Sequence, residues 1–307
     1  MSSFLHRSRQ AAAKFRRVLT LGDRIDQLKV LQGITLSELN RAKTSRDLRD
    51  HEFSVFSQWG EDGIIQFILS KIAIANKTFI EFGVEDFSEA NCRFLLIKDL
   101  WSGFVLDGSP QNIAALRAGP LFWRYPVAAR ASFITRENVG ALLAESGFDH
   151  DLGILSIDID GVDYHVLEAL EAWRPRLLIV EYNAVFGCSR AVTVPYDPDF
   201  VRSSRHFSNL YAGASLPAFV HLADRRGYGL VGINGAGNNA FFVRRDLLVA
   251  GLDEVTAASV FRDSVFSESR DQAGELSFLR GDDRRRQIAD LPLLDVATGE
   301  TIRVSDL

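Results

Sequence analysis

From residue 77 onward the chain repeats one pattern, a short apolar run followed by a segment with helical spacing of its apolar residues. The apolar runs are KTFIEFGVED (77–86), GFVLDGS (103–109), RYPVAARASF (124–133), LGILSIDIDG (152–161) and PRLLIVEYN (175–183). Helical segments at 91–100, 111–119, 137–147 and 163–173 separate or follow them. Strands joined through helices must run parallel, because a tight turn can only reverse the chain. Near-continuous apolar character along most of the runs predicts strands buried on both faces. The expectation is therefore an α/β fold with a mostly parallel sheet and helices on both sides. YGLVGING (228–235) and NNAFFVRRD (238–246), joined through Gly235, Ala236 and Gly237, break the pattern and predict a closing antiparallel hairpin.

With 307 residues, of which 47% are apolar, the chain can bury a full core. Two cysteines, Cys92 and Cys188, are too few to staple it and lack zinc-ligand spacing, so a reducing, cytoplasmic setting is expected. No apolar run reaches the roughly 18 residues that span a bilayer. The net charge of −5 is uneven: residues 1–50 carry eleven Lys/Arg against five Asp/Glu, or +6, leaving −11 for the remainder. That acidic body argues against nucleic acid as a partner. The basic segment 4–31 has apolar and cationic residues at helical spacing. It suits packing on the body or on a second subunit, in a homo-oligomer, or peripheral contact with the inner face of an anionic membrane. The chain divides into a basic helical arm (1–50), a central domain (51–250) with a long loop at 184–212 that reads as a substrate lid, and an extension (251–307).

Ligands of open parallel sheets bind beyond the carboxyl ends of the strands, so the polar residues there are the candidates. The first run ends in Glu81, Gly83 and Glu85, and the second in Asp107. An acid at that place captures a ribose diol, and a glycine at the first strand end permits close backbone approach. No G-x-G-x-x-G or G-x-x-x-x-G-K-[ST] is present to cradle phosphates. An adenosine-type ligand without phosphates fits this pattern, and S-adenosylmethionine is one. The fourth run ends in Asp158 and Asp160 and the fifth in Glu181 and Asn183, each pair spaced to share a strand face. Such oxygen ligands suit Mg²⁺ or Mn²⁺, and such carboxylates equally suit a general base that activates a hydroxyl. Asp158, Asp160 and Glu181 are the expected catalytic residues, and Asp158, Asp160, Glu181 and Asn183 the expected metal ligands. His165 reads as structural, while His206 in the lid is a further candidate for substrate contact.

In FSQWGEDGIIQFIL, FIEFGVEDFSEANCRFLL, WSGFVLDGS, GILSIDIDGVDY, PRLLIVEYN and GNNAFFVRRDL, over about residues 53–247, the chain resembles the FkbM-like family of S-adenosylmethionine-dependent methyltransferases, in its surface-polysaccharide branch. The resemblance implies a Rossmann-like sheet of seven strands and O-methylation of a sugar hydroxyl on a saccharide or glycan acceptor. It also implies that Gln58, Glu61 and Asp62 sit beside the cofactor. The full expected cofactor set is Gln58, Glu61, Asp62, Glu81, Gly83, Glu85, Asn91, Asp107, Ser109 and Ser132. Two departures stand out: Phe87 replaces a glycine common in relatives, and Asp160 replaces a glutamate. Two rivals remain on the sequence: a metal-dependent glycosyltransferase that uses Asp158-Ile159-Asp160 as a D-x-D motif, and an inactive scaffold anchored by the basic arm.

Overall fold

The apolar runs form strands β1 (Thr78–Phe82), β2 (Ser102–Asp107), β3 (Val127–Ala131), β4 (Ile154–Ile157) and β5 (Leu177–Glu181) in a computed structural model that describes residues 21–307. β6 (Val192–Thr193) lies in the long loop, β7 (Tyr228–Ile233) and β8 (Asn239–Arg244) form the hairpin, and β9 (Pro292–Asp295) and β10 (Thr301–Arg303) close the chain. The main sheet has the order β3-β2-β1-β4-β5-β8-β7. β1 to β5 pair in parallel, whereas β8 runs antiparallel to both of its neighbours. This is the expected α/β architecture, a mostly parallel seven-stranded sheet closed by an antiparallel hairpin.

Period-two alternation sends successive residues of each strand to opposite faces. Ile80, Phe82, Phe104, Leu106, Leu155, Ile157, Leu178 and Val180 pack into one apolar layer, and Phe79, Val105, Ile154, Leu177 and Ile179 into the other. The paired register Ile80 with Leu155 and Leu155 with Leu178 aligns the strand tips. The chain leaves β1 toward β2 and β3, then returns to lay β4 and β5 on the other side. The crevice between β1 and β4 is thus the topological switch point at which such sheets bind ligands.

Of the basic segment 4–31, only Leu21 onward lies within the described residues, as the start of the helix Leu21–Arg41. One face of this helix packs on the body. A Cβ at Gly33 would stand 2.4 Å from Val55 Cγ2 and 2.7 Å from Phe94, so only glycine allows this close approach. Asp26 pairs with Arg93 at 2.9 Å, and the Asn40 amide donates to the His51 carbonyl at 2.6 Å. The extension 251–307 also returns to the body. β9 pairs with both β10 and β6 in a small antiparallel sheet, which ties the tail to the lid loop. The lid is a packed segment, with Val192, Val194, Phe200, Leu210 and Tyr211 buried.

Candidate active site

β4 ends at Ile157, so Asp158 and Asp160 lie beyond the strand in the loop before the helix Asp163–Glu168. A shared strand face therefore does not bring the acids together; the backbone of that loop does. Asp160 is left-handed, with φ +55°, an uncommon conformation for a residue with a side chain. Asp163, which the sequence reading passed over, holds the loop. Its carboxylate accepts from the amides of Ile159 (2.8 Å) and Gly161 (2.9 Å) and is buried. With the loop so folded, oxygens of Asp158, Asp160 and Glu181 come within 4.8 Å of one another.

Three carboxylates this close cannot all ionise freely. Burial and then the charges of Glu181, Asp160 and Asp163 push Asp158 well above the ordinary carboxylate range. Burial, followed by the charges of Asp160 and Asp163, raises Glu181 to about 7. Asp160 is more exposed, and the Arg202 guanidinium from the lid pairs with it. Arg202 Nε donates at 2.7 Å to the carbonyl of Asn209, which fixes the guanidinium in place.

Two adjoining chambers open here, sharing Gly83, Glu85, Asp158 and Asp160 in their walls. The larger, about 430 Å³, is lined by the expected residues Gln58, Glu61, Glu81 and Asn91, together with Glu181. The smaller, about 290 Å³, is lined by Asp107 and Ser132 with Phe133, Ile134 and Phe200. Glu81 accepts from the amides of Asn91 (2.6 Å) and Cys92 (3.0 Å), yet burial prevails and raises its carboxyl to about 7. Asp107 accepts from Glu85 N (2.8 Å) and Ser109 N (2.7 Å) at the tip of β2.

Three of the expected residues, Asp62, Ser109 and Asn183, line neither chamber and do structural work. Asp62 lines neither chamber: one of its oxygens accepts from the amides of Val55, Phe56 and Ser57 at 2.7, 2.7 and 2.8 Å, so it organises the loop that carries Gln58. Ser109 caps the helix Pro110–Ala118 through the Asn112 amide. Asn183 ties the lid to the end of β5, its amide oxygen accepting from Val185 N and its amide nitrogen donating to the carbonyls of Leu210 and Ala212. Gly83, at φ +70°, lines both chambers and is also required by packing, because a Cβ there would stand 1.6 Å from the Asp158 carbonyl oxygen. The Phe87 departure is accommodated: its ring is fully buried while its backbone takes φ +63°, a shape that suits glycine. His165 is buried with Nε2 at 2.9 Å from the Val194 carbonyl, and His206 lines neither chamber.

Several wall residues had no signal in the sequence. Phe266 and Glu268 come from the extension, and the Phe266 ring stacks on Trp59 with centroids 6.0 Å apart. The hairpin asparagines tie the two sides of the large chamber together. Asn234 and Asn239 both donate to Glu61, at 2.7 and 2.8 Å, and Asn238 donates to Glu181 at 3.3 Å.

No family model matches the chain, and no curated protein does. Among solved structures it is similar in outline to methyltransferases. The CurJ carbon methyltransferase is 8% identical over 64% of this chain and 56% of that one, with a TM-score of 0.38. The magnesium protoporphyrin IX methyltransferase of Synechocystis PCC 6803, with bound S-adenosylhomocysteine, is 10% identical over 60% and 81%, with a TM-score of 0.36. An O-methyltransferase of Bacillus cereus, in complex with S-adenosylhomocysteine, is 13% identical over 54% and 72%, with a TM-score of 0.34.

Proposed function

We propose that this protein is an S-adenosylmethionine-dependent O-methyltransferase acting on a sugar hydroxyl in glycan or polysaccharide synthesis, as the FkbM-like resemblance implies. The observation that carries the reading is the convergence of Glu81, Asp107, Asp158 and Glu181, from the tips of four parallel strands, on two chambers at the switch point. When bound, S-adenosylmethionine supplies a methyl group on a positively charged sulfur. Acidic walls stabilise that charge and the ammonium of the same ligand. In this reading Asp107 would receive the ribose, and Phe133 and Ile134 in the same chamber would offer apolar surface to the adenine. Glu81 and Asn91 line the chamber that would take the amino-acid end.

The acceptor hydroxyl would meet the Asp158 and Glu181 carboxylates, which act as one base. Their raised proton affinity would let the pair take the hydroxyl proton as the methyl passes from sulfur to that oxygen, the methyl–sulfur bond breaking to leave a neutral thioether. Against Mg²⁺ or Mn²⁺ as the activator stands Arg202, which already holds Asp160. A sugar-nucleotide diphosphate, the donor of the glycosyltransferase reading, would lie against carboxylates with that one paired cation as relief.

Titration calorimetry tests the reading: saturable binding of S-adenosylmethionine and S-adenosylhomocysteine by folded protein is expected. Binding of neither would overturn it, and Mn²⁺-dependent binding of a nucleotide sugar would favour the glycosyltransferase.

The helix Leu21–Arg41 leaves Leu21, Ile25, Leu28 and Leu39 about half exposed or more, in a row facing away from the body. Residues 1–20 hold five Lys/Arg and no acid. We propose that this row rests on an anionic membrane surface, at the inner face where lipid-linked glycans are built. No described helix is long and apolar enough to cross a membrane. Co-sedimentation with anionic vesicles, lost on deleting residues 1–20 and absent with zwitterionic vesicles, is expected. A dimer whose formation ignores lipid would assign the row to a subunit contact instead.

A further inference from the structure

The cluster of Asp158, Asp160 and Glu181 has the composition of a divalent-cation site, and its oxygens are close enough for one ion to bridge. The rest of the site does not fit an ion. The fourth expected ligand, Asn183, is tied into the lid backbone, with both bonds of its amide nitrogen going to Leu210 and Ala212 and its oxygen already accepting from Val185 N. One oxygen of Asp160, Oδ1, is already paired with a guanidinium. Among the described residues Arg202 is also the one basic side chain lining the two chambers, whose walls hold the acids Glu85, Asp158, Asp160, Glu181 and Glu268.

The placement of Arg202 is built by the lid. Its helix Arg202–Arg205 brings the side chain over the cluster, and the bond from Nε to the Asn209 carbonyl leaves the terminal nitrogen directed at Asp160. Asn209 takes the left-handed conformation, at φ +59°, in the turn that presents this carbonyl. The Asn183 amide anchors the same lid at Leu210 and Ala212. A residue the sequence marks as a metal ligand therefore secures the arm that carries the arginine.

We infer that Arg202 is the internal cation of this centre: it neutralises Asp160 and excludes divalent metal from the acid cluster. A guanidinium and a dication within a few ångströms repel each other strongly, and both need the Asp160 oxygens. Removing the guanidinium should expose a latent metal site made of the three acids. The inference goes beyond the methyl-transfer reading and does not depend on it, because metal binding is measured without cofactor or acceptor.

The test is Mn²⁺ binding to the full chain, followed by calorimetry and by the loss of the free-ion paramagnetic resonance signal, for the parent protein, Arg202→Met, Arg202→Lys and the double variant Arg202→Met with Asp160→Asn. Arg202→Met is expected to bind one Mn²⁺ at least about tenfold more tightly than the parent, the order set by removing one like charge nearby. Arg202→Lys keeps the charge and should stay close to the parent, and the double variant should lose the gain. Equal Mn²⁺ affinity in the parent and Arg202→Met overturns the inference. So does Arg202→Lys binding as tightly as Arg202→Met, or Arg202→Met that keeps its melting transition yet binds no more tightly than the parent. A parent that binds no S-adenosylmethionine would count against the methyltransferase reading and leave this result standing.

Discussion

Glu181→Gln is expected to lower turnover by about 10²–10⁴-fold, the usual contribution of a positioned base, while affinity for S-adenosylhomocysteine changes little. Glu181 lines the large chamber and not the one that would hold the adenosine, which is why binding and chemistry should separate. The glutamine keeps the shape and can still accept from Asn238, so the loss would report on charge rather than on packing. The pH profile follows from the raised proton affinity of the pair. With Glu181 at about 7 and Asp158 also raised, the pair holds a proton in mildly acid solution and gives it up as pH rises through neutrality. Since only the deprotonated form can accept the hydroxyl proton, kcat/KM should climb through about pH 7, and Glu181→Gln should shift or flatten that rise. Full turnover in Glu181→Gln with an unchanged profile would remove this pair from the mechanism.

Asp62→Ala should be the most damaging single change to stability among the residues of the cofactor-side loop. The Asp62 oxygen gathers three backbone amides, and the Asp62 amide in turn donates to Ser57 Oγ at 3.0 Å. Each buried amide left without a partner costs about 1–3 kcal/mol, so the loss should reach about 3 kcal/mol or more. In thermal melts this amounts to a fall of roughly 5 °C or more for a chain of this size. A melting point within about 2 °C of the parent would show that the loop does not depend on this carboxylate.

Asp62→Asn adds a test of sign. Burial raises Asp62 to about 6 despite the amides of Ser57, Phe56 and Val55, against an unfolded value of 3.8. A carboxyl raised on folding contributes stability that is fully present below its unfolded value and is lost as pH rises through its folded one. Glu81, at about 7, and the Asp158–Glu181 pair act in the same direction. The protein without ligand should therefore melt higher at pH 5 than at pH 8, and Asp62→Asn should lose part of that difference.

The contrast between Asp62 and Glu61 shows how far the sequence could be read. Both stand in SQWGED, and both were expected beside the cofactor. Glu61 lines the chamber, held by Asn234 and Asn239 from a hairpin more than a hundred residues away, while its neighbour turns back to cap its own loop. The difference is set by the left-handed turn at Gly60, φ +108°, and by what packs behind it. Spacing along the chain does not report such a turn. The same holds for Asp158, Asp160 and Asp163. The sequence places acids after β4, but the backbone of that loop makes two of them wall residues and the third the loop's clasp.

Local periodicity alone determined the sheet: period-two runs and the helices between them dictate parallel strands buried on both faces, and chain direction puts every strand-end acid on one edge. The hairpin was equally legible, because its turn chemistry is written in three adjacent residues. Only the tertiary structure decided which charges meet. Arg202 reaches Asp160 across 42 residues of sequence, and Phe266 and Glu268 reach the chamber from a tail with no periodic signal. Electrostatic interaction depends on distance in space and on the water excluded between charges, and neither quantity exists until the chain has folded.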